Sequence, residues 1–97
     1  MHVINDFSPA TLLQLSARIE RSTSEEQKIY RESELDEVWR LVDGELDSAR
    51  RNLLPAAEIA RIEQLKSVTM EVHDLVGVDG DIKTAATKLR AALLPAK

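Results

Sequence analysis

Few side chains in this chain can do chemistry. Of its two histidines, only His73 has charged neighbours, Glu71 and Asp74. A helix-borne zinc or di-iron site needs a partner at set spacing, as in H-E-x-x-H or Glu-x-x-His. Neither pattern surrounds His73. Asp79-Gly80-Asp81 has the opening spacing of a calcium loop, but the later ligands of an EF-hand are missing. That triplet reads instead as a helix N-cap in a turn. No glycine-rich loop precedes a helix in a phosphate-binding pattern. Serines are frequent, yet none has a histidine placed to act as base. With no cysteine, disulfides and thiolate zinc sites are excluded. The expectation is a chain with no catalytic, cofactor-binding or metal residues, and not an enzyme.

The elements that carry these residues are helices. Only three glycines and three prolines are available for turns, and no segment alternates apolar and polar residues as a half-buried strand does. The chain is organised on residues 33–76, read as a helical hairpin. In its first arm Leu35, Val38, Trp39, Val42, Leu46, Ala49 and Leu53 recur at steps of three and four, giving a stripe about 100° wide. Glu34, Glu37, Gly44, Asp47 and Arg51 fall on the opposite face. A turn at Asn52-Leu53-Leu54-Pro55 follows, with Pro55 at the first position of the second arm. That arm carries Ile59, Ile62, Leu65, Val68 or Thr69, Val72, and Leu75 or Val76, and ends at Gly77 as a C′ residue. So short a connection makes the arms antiparallel. Trp39, on the first stripe, is expected to be mostly buried.

A shorter helix precedes the hairpin. Ser8 suits its N-cap, Pro9 its first position, and Phe7 with Leu12 a hydrophobic staple. Leu12, Leu15 and Ile19 form its stripe. Ser22–Glu25 and Thr23–Glu26 have capping-box spacing, so a new helix starts there. Residues 24–32 fit two parses. The pattern favours a helix from about 24 to 51. The alternative extends the first helix to about 32, with Ser33 capping the next. A last helix opens after Asp79-Gly80-Asp81, buries Ile82, Ala85, Ala86, Leu89, Ala92 and Leu93, and stops at Pro95. The expected architecture is all-α: a small antiparallel bundle of about four helices built on a long central helical hairpin, one domain over residues 1–97.

Composition narrows the function classes. At 43% apolar residues the chain can bury a small core, and at 3% aromatic that core must be aliphatic. No apolar run approaches the roughly 20 residues that cross a bilayer. The first six residues lack the basic and apolar regions of a signal peptide. A soluble, cytoplasmic protein without membrane contact is expected. A net charge of −4 argues against a nucleic-acid binder, which carries a basic face.

Two short resemblances bear on function. His73-Asp74-Leu75-Val76-Gly77 resembles the H-x-L-K-G segment of histidine phosphotransfer domains, with Val76 at the lysine position. This implies a four-helix signalling domain that accepts phosphate on His73. Ile59-Ala60-Arg61-Ile62-Glu63-Gln64-Leu65-Lys66 and the Ala85–Leu94 helix are similar to the C-terminal half of flagellar anti-sigma factors, which implies a regulator acting by protein contact.

The leading expectation is a non-catalytic protein–protein interaction module. It would be a small acidic adaptor or inhibitor of bacterial or phage type, with self-association as one form of the contact. Ile29 and Tyr30 lie off the stripe, beside Glu32, Glu34, Asp36 and Glu37. An apolar pair with an acidic rim suits a protein partner with a basic surface. These six residues are the candidate protein-binding surface.

Overall fold

A computed structural model describes residue 4 and residues 6–93. Expectations for the first residues, for His2 and for Pro95 lie outside that range. Four helices are present among the described residues: α1 (Pro9–Glu20), α2 (Glu25–Arg51), α3 (Ala56–Gly77) and α4 (Ile82–Ala92). No strand occurs among them. The chain is an all-α bundle on a central α2–α3 hairpin. α2 packs along α3, α4 lies against both α3 and α1, and α1 touches α2 less than it touches α4.

Each helix start has a local cause. Ser8 caps α1, its hydroxyl accepting from the Thr11 N–H at 3.3 Å, with Pro9 in the first position. Asp6 supports the same turn, accepting from the Thr11 hydroxyl at 2.6 Å and the Ser8 N–H at 2.9 Å. α2 starts later than the serine spacings predict. Ser24 is its N-cap, and Gln27 completes the capping box by accepting from the Ser24 N–H. Ser22 is buried and donates back to the Arg18 carbonyl at 2.7 Å, so it closes α1 rather than opening α2. Asp81 caps α4 by accepting from the Thr84 N–H.

Hydrogen bonds hold two cap carboxyls below the usual carboxylate range, chiefly those from Thr11 at Asp6 and from Thr84 at Asp81. A folded-state pKa below the unfolded one stabilises above the unfolded value. That contribution is lost as pH falls through the depressed value.

Helix ends depart from expectation in three places. Pro55 is the N-cap of α3, not its first residue. Its ψ of 144° is extended, while its carbonyl already accepts from the Ile59 N–H at 3.2 Å. Gly77 is the last helical residue of α3 and has no left-handed φ; that role falls to Gly80, at φ 66°. Gly77 instead makes room, because a Cβ there would lie 2.7 Å from the Glu32 carboxyl carbon. Leu53 has left the first stripe. α2 stops at Arg51, so Leu53 falls out of helical phase and is 87% exposed.

The core is aliphatic, as the composition requires. Leu12, Leu15 and Ile19 meet Leu35, Val38 and Val42 from α2, Val68, Val72 and Val76 from α3, and Ala85, Ala86 and Leu89 from α4. Burying side chains of this kind contributes roughly 1.5–3 kcal/mol each for the Val, Leu and Ile among them. Trp39 is only half-buried. It sits at the edge of the α2–α3 seam, with Lys66 Nζ 5.0 Å above its ring and Lys66 held by Asp43 at 2.6 Å.

One charged residue lies inside. Glu34 is 2% exposed and faces α1, not solvent. Arg18 reaches it from α1 at 2.6 Å and Arg31 from within α2 at 2.6 Å. A carboxylate taken out of water is tolerated only when paired. Removing it leaves two largely buried guanidiniums facing each other. Glu34→Gln is therefore expected to cost about 3–5 kcal/mol in chemical denaturation. Replacing the trio with Met, Met and Leu is expected to be neutral or stabilising. Equal stability of Glu34→Gln and the parent chain would show that the junction carries no load.

Candidate interaction surfaces

The six residues expected to form one binding surface divide between two environments. Ile29 is 62% exposed and Tyr30 40% exposed, on the outward face of α2. Asp36 and Glu37 share that face. Glu34 does not: it is the buried partner of Arg18 and Arg31 and is withdrawn from the surface. Glu32 is half-buried, its carboxylate lying over Gly77. What α2 presents outward is Ile29 and Tyr30 bordered by Glu26, Asp36 and Glu37.

The electrostatics of that border are partly internal. The Tyr30 hydroxyl donates to Glu26 at 3.3 Å. Arg40 takes Asp36 at 3.0 Å and Glu37 at 3.5 Å. Both are exposed pairs within one helix, a type that contributes about 0.3–0.5 kcal/mol and exchanges readily.

A second exposed apolar group was not foreseen. At the hairpin tip Leu53 and Leu54 follow the end of α2, and Pro55, Ala56, Ala57 and Ala60 are also exposed. The turn is a Schellman closure: the Leu53 N–H donates to the Arg50 carbonyl and the Leu54 N–H to the Ala49 carbonyl. Its left-handed position, normally glycine, is held by Leu53 at φ 54°. A Cβ there costs about 1–2 kcal/mol. Leu53 is thus strained and solvated at once. The available sequence signal was Pro55, which ends a helix before Leu54 and puts Leu53 in the turn.

Nothing else gathers reactive groups. His73 is half-buried near the end of α3, its Nδ1 3.8 Å from Asp74. Among the described residues no three His, Asp or Glu side chains converge to hold a metal ion. A cleft of about 390 Å³ lies along the hairpin seam beside Trp39 and Met70, where Lys66 and Arg50 are engaged by Asp43 and Glu63. A groove of about 620 Å³ lies where Phe7, Ile62, Leu65 and Leu93 meet. No helix among the described residues is long and apolar enough to cross a membrane. Compared with known proteins, the chain matches no family model, no curated sequence and no solved structure.

Leu53→Gly is expected to stabilise the protein. It removes the left-handed strain, offset in part by glycine's greater unfolded-state freedom. A gain of about 1 kcal/mol corresponds to a rise of about 4–8 °C in Tm for a chain of this size. A lower Tm for the variant would mean that Leu53 contributes packing.

Proposed function

We propose that the protein is a non-catalytic interaction module that binds a protein partner through the outward face of the first turns of α2. The observation that carries this reading is Ile29 and Tyr30. They are large apolar side chains on a helix whose inward face is already filled, and among the described residues neither belongs to the core or to the hydrophobics packed on it. Burying an exposed aromatic and its aliphatic neighbour against a partner supplies contact energy that folding has left unused. The carboxylates beside them suit a basic partner, attracting it over distance and weakening as salt rises. Arg40 sets a limit on this attraction, because Asp36 and Glu37 must release it or share it.

The absence of cysteine is compatible with work in a reducing compartment, which we include in the proposal as a cytoplasmic site of action. An adaptor or an inhibitor are both actions of this kind, since each needs only a stable shape and one competent face.

Two variants separate contact from folding. Tyr30→Ala is expected to weaken partner binding about tenfold or more while changing stability by less than about 0.5 kcal/mol. Reversing charge at Asp36 and Glu37 is expected to slow association at low salt and to matter little at high salt. The partner is first obtained by a photo-crosslinker at Ile29, with one at Gly44, about four turns along the same helix, as control. Unfolding by Tyr30→Ala, or equal capture at both positions, contradicts the reading.

A further inference from the structure

We propose that the hairpin tip is an exchange hinge. Two copies of the chain open at Leu53 and swap halves, each giving its α1–α2 half to the other's α3–α4 half. The partner is a second copy because a second copy carries the matching core. A single stretch, residues 52–55, joins the halves. The two most extensive helix pairings, α2 with α3 and α1 with α4, both run between them. Exchange therefore remakes these pairings between copies and loses neither. Each half also holds together as it moves. Arg18 and Glu34 tie α1 to α2, and Lys88 and Glu71 tie α4 to α3.

The tip has the features of a hinge. Leu53 stands at φ 54°, a left-handed conformation that its Cβ disfavours. Short hinge loops under strain invite exchange. Two backbone hydrogen bonds close the turn, to the Arg50 and Ala49 carbonyls, and between Ala49 and Ile62 no described side chain is buried. Pro55 is already extended at ψ 144°, and the residue before a proline favours extended backbone. Returning Leu53 to negative φ thus converts the turn into an open connection.

The open form also uses what the closed form leaves exposed. In the swapped pair the two tips meet at the two-fold axis, where Leu53 and Leu54 of both copies cover one another. Arg50, Arg51 and Arg61 do not oppose this, since Glu63, Asp47 and Glu58 neutralise them. Opening leaves the outward face of α2 untouched, so the proposal is independent of what binds Ile29 and Tyr30. Exchange passes through separated halves, so it is slow in the native state and occurs on refolding.

The full chain is unfolded in guanidinium, refolded at about 10 µM or about 1 mM, and compared by sedimentation velocity after dilution to one concentration. Refolding at the higher concentration is expected to give a dimer that survives dilution, and refolding at the lower to give monomer. The Lys66 ammonium and the Asp43 carboxylate, 2.6 Å apart across α2 and α3, report the exchange. A carbodiimide joins them as an amide with loss of water. In a mixture of heavy-isotope-labelled and unlabelled chains, that bond is expected within one chain in the monomer and between chains in the dimer. Leu53→Gly is expected to weaken dimerisation about tenfold or more, because two strained turns are relieved per dimer. Removal of Leu53 and Leu54 leaves too little chain to close the turn and is expected to give dimer at both concentrations. A wild type that refolds only to monomer at about 1 mM overturns the proposal. So does a dimer whose Asp43–Lys66 bonds stay within single chains, a Leu53→Gly chain that dimerises as the wild type does, or a monomeric deletion variant. Should the deletion variant not fold, the crosslink and Leu53→Gly decide.

Discussion

A mismatch of helix lengths governs what this bundle can bury. The hairpin arms have 27 and 22 residues, while α1 and α4 have 12 and 11. At 1.5 Å per residue the arms run about 40 and 33 Å, twice the reach of the helices that cover them. The groove lined by the start of α1 and the end of α4 reaches α3 no further along than Arg61. Buried side chains stop at Ala49 on α2 and begin at Ile62 on α3. Beyond that line the arms have only each other, and the tip holds its shape by backbone closure at Ala49 and Arg50 rather than by a core. Exposure of Leu53 and Leu54 follows from this.

At the covered end the problem is different. α1 touches α2 much less than it touches α4, yet it must be held in one register across a short connection. Across that connection Arg18 of α1 meets the buried Glu34 of α2, which Arg31 also pairs from within α2. A buried carboxylate moved away from its guanidiniums is severely penalised.

The sequence disclosed whatever followed helical period. Leu35, Val38, Val42, Leu46 and Ala49 lie inside because a 3.6-residue repeat places them on one face, and Ser8 and Asp81 sit where short polar side chains meet orphan N–H groups, whereas α2 is capped by Ser24 rather than by Ser22 or Thr23. Of the two parses of residues 24–32, the continuous long helix is the one formed. Long-range pairing was not legible. A glutamate counts as a solvent residue in any pattern, and Arg18, sixteen positions earlier, carries no mark of its partner. Leu53 extended the first stripe at a step of four, but the stripe holds only while the backbone is helical. Gly77 does end α3, but as its last helical residue, and Gly80 takes the left-handed position. Of the candidate surface, Ile29, Tyr30, Asp36 and Glu37 were legible as outward-facing, because they lie off the apolar stripe.

The central claim is that folding stability lies in the part of the hairpin covered by α1 and α4, and that the tip opens locally. Native-state hydrogen exchange of the dilute monomer, resolved by residue, tests it most directly. Amides of Val38 to Leu46 and Val68 to Val76 are predicted to exchange only through global unfolding. Amides from Asn52 to Ala60 are predicted to exchange orders of magnitude faster, through local opening of the tip. Uniform protection along both arms, tip included, would contradict the account.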